Sequence, residues 1–72
     1  MENPIVKLSE CVQRQHGKSI TTRLVSKKGQ DHTPTITCEI ELPDGRIFQG
    51  VGSNKKIAKQ EAAKKALIHY GY

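Results

Sequence analysis

The sequence predicts an α+β fold of order α-β-β-β-α, with two helices packed on one face of a three-stranded antiparallel sheet. Three observations carry this expectation. Ile36, Cys38, Ile40 and Leu42 alternate with Thr35, Thr37, Glu39 and Glu41, the period of a half-buried strand. Pro43-Asp44-Gly45 follows at once and reads as a hairpin turn. Helical stretches, each preceded by an asparagine, lie at the two ends of the chain.

Asn3 and Pro4 suit the N-cap and first position of a helix that runs to about His16, with Gly17 as its stop. At 100° per residue, Ile5, Leu8, Cys11 and Val12 share one side and face the core. Val6, Ser9, Glu10 and Gln13 share the other, where Val6 is out of keeping with its neighbours. Residues 19–28 are rich in Thr, Ile, Leu and Val and favour a strand. The turn-forming run Gly29 to Pro34 then makes a loop. The alternating strand and its hairpin come next, and residues 46–51 form the returning strand. From Lys55 to about Tyr70 most residues are good helix formers. Ala58, Ala62, Ala66 and Tyr70 recur every four residues beside Leu67, and such small residues let a helix lie close to a sheet. The expected domain covers residues 3–70, with short flexible ends at 1–2 and 71–72.

Seventy-two residues suffice for one domain with one small core. Twelve Lys plus Arg against seven Asp plus Glu give a net charge of +5, which suits an anionic partner. No apolar run is long enough to span a membrane, and no signal-peptide pattern opens the chain. Cys11 and Cys38 do not form a disulfide-scaffold pattern and favour a reducing compartment. The expectation is therefore intracellular, in cytoplasm or nucleus, and no membrane partner.

The most informative stretch is Gly50-Val51-Gly52-Ser53-Asn54-Lys55-Lys56-Ile57-Ala58-Lys59. Lysines complement a helix dipole at its C-terminal end, yet Lys55, Lys56 and Lys59 crowd the N-terminal end. Folding alone does not favour that placement. An outside polyanion compensates for it, and phosphate is the leading candidate because helix N-termini already attract anions.

Taken together, the order of elements and this motif resemble the double-stranded RNA-binding domain family. Gly50-x-Gly52-x-x-Lys55-Lys56-x-Ala58-Lys59, then Glu61-Ala62-Ala63 and Ala66-Leu67, carry the resemblance, with His32-Thr33-Pro34 upstream. The resemblance implies a non-catalytic module that binds A-form duplex RNA through three regions. Val6, Ser9, Glu10 and Gln13 would enter a minor groove, with Glu10 on ribose hydroxyls and Val6 against a base edge. His32, Thr33 and Pro34 would enter the next minor groove. Asn54, which caps the second helix, would be among the RNA-binding residues, and Lys55, Lys56 and Lys59 would hold phosphates across the intervening major groove. The chain departs from the family pattern at Asn54, where serine is usual, at Gln30, where proline is common, and at Thr22 and Ile36, where aromatics are common.

Each feature has a plainer reading. Lys64 and Lys65 fit a solvated helix face. Glu10 could be an ordinary exposed residue, His32 an ordinary loop histidine, and Val6 part of an enlarged core or a protein contact. Cys11 and Cys38 fit core packing, because with His16, His32 and His69 they match no common zinc spacing. No nucleophile–base pair, carboxylate cluster or nucleotide-binding loop occurs, so neither catalytic residues nor a metal or other cofactor is expected. The competing functions are a protein-interaction module, including a homodimer through the sheet, and a single-strand binder. The latter needs exposed aromatics that this chain scarcely has. The parent is expected to be a larger RNA-processing or RNA-transport protein.

Overall fold

The computed structural model describes residues 3–29 and 34–71. Helix α1 (Pro4–His16) is followed by strands β1 (Thr21–Lys28), β2 (Thr35–Glu41) and β3 (Ile47–Gly52) and by helix α2 (Lys55–Tyr70). The strands form one antiparallel sheet in the order β1-β2-β3. The fold is the expected one.

Both helices start and stop for local reasons. The Asn3 side chain accepts a hydrogen bond from the Ile5 N–H at 2.8 Å, and Pro4 takes the position where no donor is needed. Gly17 closes α1 at φ 68°, donating to the Gln13 carbonyl. Asn54 accepts from Ile57 N–H at 2.8 Å at the start of α2. Gly71 ends that helix in the same left-handed conformation as Gly17. Residues 1, 2 and 72 of the expected flexible ends lie outside the described residues.

One face of the sheet is buried. Ile36, Cys38, Ile40 and Leu42 are all buried, as the alternation predicts. Leu8 and Val12 of α1 join Ile40 and Leu42, with Ala62, Ala63, Ala66 and Leu67 of α2, in the main core. Ile5 packs against this cluster, while Cys11, expected inward, is only half-buried. A smaller cluster of Ile36, Cys38 and Ala58 lies beneath the first turns of α2. Helix α1 therefore meets the C-terminal half of α2 and leaves its N-terminal end uncovered.

Strands β1 and β3 differ from expectation by one or two residues at their ends. Thr21 pairs with Glu41, the last residue before the hairpin, so Ser19 and Ile20 have no ladder partner and β1 starts after them. Arg46 is occupied in closing the hairpin, where its carbonyl accepts from Leu42 N–H at 2.8 Å. Strand β3 thus starts at Ile47 and runs on to Gly52 opposite Ile36. The register of β1 also shifts between Leu24 and Ser26, leaving Val25 without a partner, as in a β-bulge.

The outer face of the sheet carries Thr35, Thr37, Glu39 and Glu41 beside the half-exposed Ile47 and Val51. Arg23 binds Glu39 and Glu41, each at 2.8 Å, and these bonds lower the Glu39 pKa and raise that of Arg23. At the hairpin end, the Tyr70 hydroxyl donates to Asp44 at 2.7 Å and ties the end of α2 to the turn. That bond, followed by the Arg46 N–H, lowers the Asp44 pKa from its ordinary 3.8. Because the folded value lies below the unfolded one, the stabilisation is complete above the unfolded pKa and is lost as pH falls through the folded one. Tyr70→Phe is therefore expected to melt earlier than the parent at neutral pH. The gap should close as the solution is acidified below pH ~4, which thermal melts across pH will test. A gap that persists unchanged in acid would mean that the hydroxyl acts otherwise than through the Asp44 carboxylate, and no gap at any pH would place the role of Tyr70 in its ring.

Candidate nucleic-acid interface

The sheet has two chemically different ends. The Pro43-Asp44-Gly45 turn forms one end, with Tyr70 docked on it. At the other, the register places Lys27, Ile36 and Gly52 in one row across the three strands, with Lys28 opposite Thr35 in the next. The loop flanks Gly29 and Pro34 and the start of α2 therefore share that end. Glu39, Glu41 and Asp44 lie on the outer face or at the hairpin, away from the α2 lysines.

Gly50 and Gly52 decide how closely α2 approaches. Gly50 is buried in β3, and a Cβ there would collide with the Ala58 carbonyl oxygen and the Ala62 nitrogen. A Cβ on Gly52 would lie 2.5 Å from Ile57 Cγ2 and 2.8 Å from the Ala58 nitrogen. The first turns of α2 thus rest directly on the strand backbone. Ala58, fully buried, is the small residue on the helix side of that contact. From below, the Cys38 thiol makes a long contact to the Lys55 carbonyl at 3.9 Å. The glycines that lead into the cap thus set the helix position, a role their spacing in sequence did not disclose.

On this fixed turn, Lys55 and Lys56 are exposed and Lys59 is half-exposed. None of the three forms an ion pair with a described residue. No acidic residue stands in the first turn of α2 to offset them. Three cations on the seated first turns of a helix, at the positive end of its dipole and in no ion pair with a described residue, make a ready receptor for phosphate.

The second region lies on α1. Glu10 and Gln13 are exposed, Ser9 is half-buried, and Val6 keeps 48% of its surface in contact with solvent. Val6 is therefore no part of the core. Ser9, Glu10 and Gln13 line one surface depression together with Arg14, Ser19 and Ile20. The last three were not singled out from sequence, because two of them follow the helix and only the fold returns them to it. Since α1 packs near the far half of α2, this region and the lysines are separated along that helix. From Lys56 to Ala66 the rise is about 15 Å. In the third region Pro34 is half-buried, whereas His32 and Thr33 lie outside the described residues. No cluster of three metal-ligating side chains occurs among the described residues, and none of their helices is long and apolar enough to cross a membrane.

Comparisons with known proteins bear on the family and the fold. The family model for the double-stranded RNA binding motif matches residues 4–70. The chain is 39% identical over 56 residues to a protein named Ribonuclease 3 from Ehrlichia chaffeensis, covering 78% of this chain and 25% of that one. It is 38% identical over 63 residues to Ribonuclease 3 of Anaplasma marginale, covering 88% and 27%. The chain thus spans about a quarter of the length of these curated relatives. Among solved structures, the second double-stranded RNA-binding domain of DRB4 superposes with a TM-score of 0.68 at 28% identity, covering 92% of both chains. The family match over nearly the whole chain, on a fold that presents its lysine-bearing helix as described, places this protein in the double-stranded RNA binding motif family.

Proposed function

We propose that this chain is a non-catalytic module that binds A-form double-stranded RNA by shape and charge, largely without regard to sequence. The observation that carries the reading is the set of lysines, none in an ion pair with a described residue, on a helix start seated against the sheet. The major groove of A-form RNA is too deep and narrow for side chains to read, but its rims carry phosphates. Lys55, Lys56 and Lys59 span those rims as point charges and need no bidentate geometry. Val6, Ser9, Glu10 and Gln13 face one adjacent minor groove, and the loop with His32, Thr33 and Pro34 faces the other. Such a footprint covers about 16 base pairs. Glu10 supplies discrimination, since a carboxylate accepts a hydrogen bond from a ribose 2′-hydroxyl that DNA lacks. The module belongs to a larger RNA-processing or RNA-transport protein, and any catalysis resides elsewhere in it. It requires no cofactor.

The test is a titration with an RNA duplex of about 20 base pairs, the DNA duplex of the same sequence and one RNA strand, at several salt concentrations. The RNA duplex should bind best. With about four to six phosphate contacts, log K should fall against log salt with a slope of about −3 to −5. In the same assay Glu10→Ala should narrow the gap between RNA and DNA while leaving the slope in place. Unchanged selectivity would remove Glu10 from the proposed role. A folded protein that binds none of the three at low salt would overturn the reading. A contact to protein through the sheet, including a homodimer, is the second reading. Ile47 and Val51, about half exposed beside Glu41 and Thr37 on the outer face, favour it.

A further inference from the structure

The bulge in β1 changes which lysine faces which side of the sheet. Leu24 pairs with the buried Cys38 and so lies on the helix side. Simple alternation from Leu24 would put Ser26 and Lys28 on that side and Lys27 on the outer one. The shift at Val25 reverses this. Ser26 pairs with Thr37 and Lys28 with Thr35, on the outer face, while Lys27 pairs with the buried Ile36. A bulge re-aims the side chains that follow it, and here it turns Lys27 toward the side of the sheet that carries α2.

Three features of its position make that orientation useful. Lys27 shares its row with Ile36 and Gly52, and Gly52 lies directly beneath Ile57 and Ala58 of the first turn of α2. Two strand spacings separate Lys27 from Gly52, about 10 Å, so the lysine stands beside the start of that helix. The neighbouring helix-side surface is open, since Leu24 keeps 48% of its surface exposed. Lys27 itself is exposed and forms no ion pair with a described residue.

We propose that Lys27 is a fourth phosphate-binding lysine of the duplex interface, aimed there by the bulge at Val25, and that its neighbour Lys28 is not. The inference rests on the proposed RNA-binding reading and extends the cationic row from α2 across the sheet to its opposite edge. It also gives the bulge in this edge strand a role beyond protecting the edge.

The two adjacent lysines provide the experiment. Lys27→Ala, Lys27→Gln, Lys28→Ala and Lys56→Ala are compared with the parent chain on an RNA duplex of about 20 base pairs across a salt series. Lys27→Ala and Lys27→Gln should each flatten the salt slope by about 1 and weaken binding about fivefold near 0.1 M salt, as loss of one phosphate contact does. Lys27→Gln keeps most of the aliphatic stem, so an equal loss in both variants assigns the effect to charge. Lys28→Ala should leave the slope unchanged and the affinity within about twofold. Equal losses at Lys27 and Lys28 would overturn the inference, because diffuse attraction rather than orientation would then govern. If Lys56→Ala flattens the slope and the Lys27 variants do not, the inference falls and the RNA-binding reading stands. If the parent itself binds no duplex, both fall.

Discussion

Replacing Lys55, Lys56 and Lys59 together by alanine is expected to weaken binding to an RNA duplex by about two to three orders of magnitude near 0.1 M salt. The salt slope should flatten by about 3, since each lost phosphate contact removes close to one unit. The stability of the variant should move the other way. Alanine is at least as good a helix former as lysine. Three cations at the N-terminal end of α2 oppose its dipole, at roughly 0.3–1 kcal/mol each for exposed groups at low salt. None of the three makes an ion pair with a described residue that the substitution would break. The melting temperature should therefore hold or rise while binding collapses. Anisotropy titrations and thermal melts on the same preparation will show whether the two quantities diverge. A triple variant that binds with the parent slope would dismiss the lysine clamp. One that lost binding and stability together would instead mark these residues as part of the fold.

The placement of these lysines against the helix dipole is what made the proposed clamp legible in sequence. Lysines at a helix start run against local preference, whereas Asn3, Pro4, Gly17 and Asn54 all agree with theirs and gave both helices their starting residues. The strict alternation of residues 35–42 likewise identified the buried face, because a period of two leaves no other register once one side is apolar. Strand β1 carried less information. Thr21-Thr22-Arg23-Leu24-Val25-Ser26 does not alternate, and the bulge at Val25 arises from pairing with β2, a non-local partner invisible in the segment itself. Lys27 therefore looked no different from Lys28. The hydrogen bond from Tyr70 to Asp44 joins residues 26 positions apart, so only the packed α2 brings them together. Ser19 and Ile20 return to the α1 surface for the same reason, and with Arg14 they complete the depression around Ser9, Glu10 and Gln13. Gly50 and Gly52 were evident as a lead-in to the helix, but their lack of side chains proved to matter for the approach of α2 rather than for a turn.

Gly50→Ala should consequently be the most damaging single methyl group that can be added to this protein. In a strand interior, alanine would ordinarily be preferred to glycine on entropic grounds. Gly50 reverses the sign because the new Cβ would collide with backbone atoms of Ala58 and Ala62 and lie 2.9 Å from the Glu61 carbonyl carbon. A crowded side chain can rotate away, but helix backbone cannot, so α2 would have to lift as a body. Lifting it would open space around Ala58, Ala62 and Cys38, all fully buried. Overpacking a core costs about 1–3 kcal/mol, and the lost helix contacts should bring the total to at least ~3 kcal/mol. A domain of this size has only about 4–11 kcal/mol to lose. The melting temperature should fall by more than about 12 °C, at roughly 4–8 °C per kcal/mol. Gly45→Ala is the control, since Gly45 has φ +92° but no atom within 4 Å of an added Cβ. It should cost only the backbone strain of a left-handed alanine, about 1–2 kcal/mol. If Gly50→Ala melts with or above Gly45→Ala, then close contact between α2 and β3 does not position the helix. RNA binding should fall with stability in Gly50→Ala, even though Gly50 carries no charge and is buried. The lysine triple variant should lose binding without losing stability, so the two results together would separate what holds the cations in place from what the cations do.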